Sequence, residues 1–229
     1  FSSKGSLIDA EETTKLLNIS SDTLKIGSIY KEYIKVLRKG FKDSFLKLTN
    51  ENLQSRIRGA LLMAYSNNFS YLLISTGNKS EMSVGYSTIY GDMNGGFNVL
   101  KDIYKTDLYK LAEWRNNIKT KLFNGPKGYV IPKSSIDKEP SAELSFNQKD
   151  TDSLPAYDIL DKILFHLIEE ELSIEEIVKK GFNYKMVKGV RKLLLVSEYK
   201  RRQAPPGVKL SIKAFGKERR YPITNLFKI

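Results

Sequence analysis

The chain has 229 residues, a formal net charge of +12 and no cysteine. That length allows one large domain or two small ones, and the missing cysteine excludes a disulfide framework, a thiolate metal site and a cysteine nucleophile. No apolar run reaches the ~20 residues of a membrane helix, so no membrane partner is expected, while the basic balance points to an anionic partner.

Residues 1–5 are polar and read as irregular, and residues 9–17 read as a short helix. The alternation over residues 23–28 predicts a strand, and residues 29–46 a helical region broken near Gly40. A strong helix starts at Thr49-Asn50 and runs to about Asn67. Leu53, Ile57, Ala60, Leu61 and Ala64 form its core face. Asn52, Arg56, Gly59 and Met63 form a second stripe roughly 100° away. Gly59 costs about 1 kcal/mol in a helix interior, so the position calls for close packing or a ligand.

Leu72-Leu73-Ile74-Ser75 ends an apolar run that reads as a buried central strand over residues 71–75. A small-residue turn follows at Thr76-Gly77, and then a helix to about Tyr86. Open α/β sheets bind ligands at such strand–turn–helix junctions. Asn78 and Glu81 also have capping-box spacing, so Glu81 reads either as a cap or as a ligand-holding carboxylate. Residues 91–98 read as a glycine-rich loop. Lys105-Thr106 opens the next helix, to about Asn116. The helix dipole disfavours a lysine at that end, and an anion in front of it would account for it.

Residues 117–152 form the longest irregular stretch, of a length that is usually functional or disordered. Helices follow over residues 157–171 and up to Lys180, the latter capped by Ser173 with Glu176. A last helix runs from Asn183 to about Arg202 and ends at Pro205-Pro206-Gly207. Lys200 extends the apolar face of Leu193 and Val196, so it either snorkels or points at a site. From Arg191 onward there are eleven Lys/Arg against two Glu, a basic tail with a short strand in it. His166, the one histidine, reads as an ordinary helical residue.

Six motifs in fixed order resemble the NAD synthetase family: residues 51–59, Ser75-Thr76-Gly77-Asn78-Lys79-Ser80-Glu81, Tyr90-Gly91-Asp92-Met93, Lys105-Thr106, Pro140-Ser141-Ala142-Glu143-Leu144 and Glu198-Tyr199-Lys200-Arg201-Arg202. The tail looks like the glutamine-dependent subgroup. The resemblance implies an α/β fold with a doubly wound, mainly parallel sheet of the adenine-nucleotide-hydrolase (ATP pyrophosphatase) type. It divides the chain into a synthetase domain, residues 1–204, and a basic tail, residues 205–229, packed on it. It implies a cytoplasmic ligase that converts deamido-NAD, ATP and ammonia into NAD, AMP and pyrophosphate through an acyl-adenylate, with magnesium on the phosphates. Ammonia would come from glutamine through a glutaminase domain outside these residues.

Carried over position by position, the resemblance gives Thr76, Lys105 and Ser141 to ATP, with Lys105 and Glu81 as the catalytic pair and Glu81 as the magnesium ligand. Asn52, Arg56, Glu81, Tyr199 and Lys200 go to deamido-NAD. Tyr199 stands where ammonia-dependent members often have histidine, Ile89 where they have a lysine, and Gly96 where they have an aspartate. The family's first strand and its Ser-Gly-Gly-x-Asp-Ser phosphate loop have no counterpart, and residues 1–6 resemble the family's segment just C-terminal to that loop. The expectation is a piece of a longer enzyme that makes no NAD alone. The competing expectation is a catalytically inactive truncated synthetase that binds nucleotide or a partner chain. The resemblance also implies a homodimer or higher homo-oligomer. A nucleic-acid partner ranks last, because Phe215 and Tyr221 make no stacking pattern with the tail's charges.

Overall fold

The structure, a computed structural model, describes residues 2–41, 46–118, 125–216 and 218–224. By internal contacts the chain falls into two units: residues 1–44 with 106–153, and residues 45–105 with 154–229.

In chain order the elements are α1 (Lys4–Leu17), α2 (Gly27–Phe41), α3 (Lys47–Phe69), β1 (Ile74–Ser75), α4 (Lys79–Val84), β2 (Phe97–Asn98), α5 (Lys105–Asn117), α6 (Lys133–Asp137), α7 (Tyr157–Ile168), α8 (Ile174–Lys179), α9 (Tyr184–Val196) and α10 (Glu198–Arg201), with a 3-10 turn at Asp150–Asp152. The fold is mostly helical. The sheet among the described residues is a two-stranded parallel pair, Ile74 opposite Phe97 and Ser75 opposite Asn98.

In the first unit, α1 begins earlier than its sequence pattern predicts because Ser3 caps it, its hydroxyl accepting from Ser6 N at 3.1 Å. α6 packs on α1. The predicted strand over residues 23–28 is absent. The backbone there is irregular until α2 starts at Gly27. Only Ile26 of that alternation is buried, and no neighbouring strand among the described residues takes up its backbone groups. The predicted continuation of α2 through residues 42–45 lies outside the described residues. No residue of α2 is fully buried: Ile29, Tyr30, Ile34 and Leu37 are partly covered, while Val36 is 73 % and Tyr33 48 % exposed.

In the second unit, α7, α8, α9 and α4 enclose the core. Leu160, Ile163, Leu164, Ile168, Ile177, Val187, Val190 and Leu194 are almost wholly buried in it. Three helix starts follow from local chemistry. Asn78 and Ser173 each make the full capping box, with Glu81 and Glu176, and Asn183 accepts from Met186 N.

The central strand departs from expectation. Tyr71 and Leu72 are each 66 % exposed, and only Ile74–Ser75 enters the ladder, because its one hydrogen-bonded neighbour among the described residues is β2. β2 itself falls inside the stretch predicted as a glycine-rich loop. The short strand expected within residues 208–229 is absent among the described residues, and just before that stretch Gly207 forms a single parallel bridge to Asn98. The predicted helix over residues 183–202 is broken at Ser197 into α9 and α10, just where Gly85 approaches. A Cβ on Gly85 would stand 2.3 Å from Ser197 Oγ.

α3 buries the N-terminal half of its predicted core face, and of the second stripe only Gly59 is buried, Arg56 being exposed. Leu53, Ser55, Ile57 and Gly59 are buried, whereas Ala60 and Ala64 of the predicted core face are exposed. A Cβ on Gly59 would meet Asn94 Nδ2 at 2.5 Å, Gly91 O at 2.8 Å and Tyr90 O at 3.1 Å. Two of these are backbone atoms and cannot swing aside. Gly59→Ala, which would raise helix propensity at an exposed site, should therefore destabilise by about 1–3 kcal/mol. A urea midpoint at or above that of the unsubstituted chain would refute it.

Candidate active site

The turn after β1 places Asn78 as the cap of α4, and Glu81 lies in that helix's first turn. Glu81 Oε2 accepts from Asn78 N at 3.1 Å, while Oε1 meets Lys105 Nζ at 3.1 Å. Both side chains are about four-fifths covered. The Lys105 ammonium also lies 5.5 Å from the ring centroid of buried Tyr157. α5 begins at Lys105 because Ser80 Oγ accepts its backbone N–H at 2.9 Å, and Ser80 in turn donates to buried Asp161. Thus α4 and α5 both begin beside the Glu81–Lys105 pair. Glu81, in the first turn of α4, thus holds the Lys105 ammonium beside that helix.

A second group forms where α4 ends. Lys200 Nζ donates to Gly85 O at 2.8 Å and to Ser87 O at 2.7 Å. An ammonium has three hydrogens, so these contacts use two. Burial pushes the Lys200 ammonium below its ordinary range; nearby Asp92 opposes that and Arg56 adds to it. Asn52 Oδ1 accepts from Thr88 Oγ1 at 2.9 Å, and Arg56 Nε donates to Ile89 O at 3.2 Å. Asp92 Oδ1 accepts from Ser55 Oγ and Thr88 N. The predicted positions Asn52, Arg56 and Lys200 therefore converge on residues 85–92. Thr76 and Tyr199 are exposed, the latter at 44 %.

Ser141 belongs to the other unit, where its hydroxyl accepts from Glu143 N at 3.1 Å. The Glu143 carboxylate is tied to the start of α1. It accepts from Ser3 N at 3.0 Å, Ser3 Oγ at 2.9 Å, Ser6 Oγ at 2.6 Å and Lys138 Nζ at 2.6 Å. Burial alone would raise its pKa; Lys138 and the serine donors outweigh that and hold it at about 2, against an ordinary 4.5. The folded value lies below the unfolded one. The contact's stabilisation is therefore complete above about pH 4.5 and is lost as pH falls through about 2. Protection of the α1 amides against hydrogen exchange, taken relative to the intrinsic rate at each pH, should fall on acidification across that window, and much less so in Glu143→Gln. The same acid response in both chains would refute the link.

Sequence reasoning missed two buried cations. Lys79 is fully buried among Asp102, Glu169 and Ser211. Arg201 is buried against Glu198 and donates to Met82 O and Ser83 O at the end of α4. Part of the tail's charge is met internally: Arg201 and Arg202 pair with Glu198, Lys209 with Glu218, and Lys213 and Arg219 with Glu171. His166 pairs with Glu170 four residues on.

Among the described residues no three acidic or histidine side chains come together to hold a metal, and no helix is long and apolar enough to cross a membrane. Magnesium carried on nucleotide phosphates needs only one or two protein carboxylates. Glu81 fits a phosphate-borne ion and not a free-standing metal site.

A strand–turn–helix junction with a lysine and a carboxylate paired at the helix start is the kind of place at which ligands bind to parallel sheets. The family model for NAD synthase matches residues 1–204, and the chain belongs to that family. It is a homologue of glutamine-dependent NAD+ synthetases. It is 46 % identical over 228 residues to that enzyme of Thermotoga maritima, covering all of this chain and 38 % of the relative. The glutamine-dependent NAD+ synthetase of Acinetobacter baumannii, solved with ADP, is 43 % identical, with a TM-score of 0.56 over 97 % of this chain and 38 % of that one. The Cytophaga hutchinsonii enzyme, 20 % identical over 98 % of this chain and 37 % of its own, shares the fold at a TM-score of 0.79. The chain thus spans about two-fifths of the length of the relatives it matches.

Proposed function

We propose that these residues form most of the synthetase part of an NAD+ synthase, which amidates deamido-NAD with ATP and ammonia. The observation that carries this reading is the Glu81–Lys105 pair at the start of α4, in a chain that matches a synthetase along its whole length. On this reading residues 1–204 are the synthetase domain, the β1–β2 pair belongs to a doubly wound parallel sheet, and the tail packs on the same domain. The enzyme is cytoplasmic, and ammonia comes from glutamine through a separate domain.

The nicotinate carboxylate attacks the α-phosphorus of ATP, pyrophosphate leaves, and ammonia then displaces AMP from the acyl-adenylate. Charge gathers on the phosphoryl oxygens and the leaving group, so fixed cations and N–H donors lower the barrier most. Lys105 faces the triphosphate, with Thr76 and Ser141 as further ATP contacts. Magnesium, bound with ATP through Glu81, would supply charge neutralisation there. Asn52, Arg56, Tyr199 and Lys200 hold deamido-NAD, and the remaining hydrogen of Lys200 is available to it. On this reading the chain forms a homodimer or higher homo-oligomer, and the exposed apolar side chains Val36 and Tyr33 of α2 support that.

The test is to supply ATP, magnesium, deamido-NAD and ammonium to the protein carrying this chain and to follow NAD and pyrophosphate. NAD formed in step with pyrophosphate is expected. Tight binding of nucleotide with no product would favour the truncated, inactive reading instead.

A further inference from the structure

Lys79 opens α4, where the helix dipole disfavours a cation, yet its side chain is fully buried. Its Nζ meets Asp102 Oδ1 at 2.9 Å, Ser211 Oγ at 2.6 Å, Lys213 O at 3.2 Å and the Glu169 carboxylate. The rings of Tyr104 and Phe215 lie 5.1 and 5.9 Å away. A buried ammonium persists only where its charge and hydrogens are matched.

The cage holds the tail in return. Asp102 accepts from Leu210 N at 2.7 Å, Ser211 N at 2.6 Å and Ser211 Oγ at 2.8 Å, and Glu169 accepts from Lys213 N at 3.2 Å. Burial alone would raise the Asp102 pKa; the Ser211, Lys79 and Leu210 donors pull it below its ordinary value. Ser211, Lys213 and Phe215 all lie beyond residue 204, where the family match ends. The tail therefore supplies part of the housing of a helix at the candidate site.

α4 has six residues, too few to hold its own shape without tertiary support. Its start is fixed through three successive side chains. Lys79 enters the cage, Ser80 receives Lys105 N, and Glu81 pairs with Lys105 Nζ. We propose that Lys79 is a positioning residue: by clasping residues 210–213 it fixes the start of α4 and so sets the Glu81–Lys105 pair. This rests on the proposed role of that pair in the synthetase reaction.

Lys79→Met would leave Asp102 and Glu169 buried without their cation, so Ser211→Ala carries the test. The readout is acetylation of Lys105 by acetic anhydride, followed by mass spectrometry relative to exposed Lys110. We expect Ser211→Ala to keep its far-UV circular dichroism and to raise Lys105 labelling at least threefold. Ser211→Thr, which keeps the hydroxyl, should restore protection. In a Glu81→Gln background, where the pair is already broken, Ser211→Ala should add nothing. Unchanged Lys105 labelling in folded Ser211→Ala overturns the proposal, and so does loss of the fold, which would make the cage purely structural. Labelling needs no turnover, so a chain that makes no NAD still tests this inference. A chain that makes NAD while Lys105 ignores Ser211 refutes the inference and leaves the proposed function standing.

Discussion

Arg201→Met should cost about 3–5 kcal/mol, the range for breaking a buried ion pair by removing one partner. Arg201 is 5 % exposed and Glu198 2 %. The guanidinium donates to Glu198 Oε2 at 3.2 and 3.0 Å, to Ser83 O at 2.9 Å, to Met82 O at 3.3 Å and to Leu194 O at 2.6 Å, and lies 4.8 Å from the Phe215 ring centroid. Burial lowers its pKa and Glu198 opposes the shift. Methionine fills a similar volume but leaves Glu198 with Arg202 alone and the last carbonyls of α4 without donors. Whole-protein stabilities are about 5–15 kcal/mol, so the loss takes a large share. Arg201→Lys should recover little, since a single ammonium cannot span three carbonyls and a carboxylate as the planar fork does. Urea unfolding followed by circular dichroism checks this, with partly exposed Arg202→Met as a control expected to cost about 1 kcal/mol or less. Equal midpoint shifts for the two variants would sink the argument.

Local rules were legible in the sequence and long-range ones were not. The boxes at Asn78 and Ser173 and the cap at Asn183 need residues only three positions apart, and all form. The strand at Ile74 could not be sized from its own letters. Burial of an apolar run depends on neighbouring strands, and among the described residues one is present. α3 misled because its alanines suit either a core or a surface, while Gly59 carried the true signal of close approach. Of the predicted site, Glu81 with Lys105, and Asn52, Arg56 and Lys200 around residues 85–92, are brought together within one unit. Ser141 lies in the other unit. Lys79 went unread although it breaks the same dipole rule that singled out Lys105: each is a lysine at the first position of a helix. One is explained by a buried cage and the other by Glu81.

On the proposed reading, Glu81→Gln should lower turnover by about 10²–10³-fold, the scale for removing one group that stabilises transition-state charge, while leaving the fold intact. Glutamine keeps the length of glutamate, and its carbonyl can still accept from Asn78 N, as capping boxes with glutamine do. Only the charge is lost. Stability should therefore move by less than about 1 kcal/mol. The lost charge does two things: Lys105 loses its partner at 3.1 Å, and the one carboxylate here suited to phosphate-borne magnesium disappears. The defect should be greatest at low magnesium and shrink as magnesium is raised. Affinity for deamido-NAD should change less, since Asn52, Arg56 and Lys200 are untouched. Pyrophosphate release over a magnesium series, beside a thermal melt of each protein, separates the possibilities. Turnover within twofold of the unsubstituted protein at limiting magnesium, with an unchanged melt, would return Glu81 to capping alone. A melt lowered by many degrees would instead show that its charge holds α4 in place.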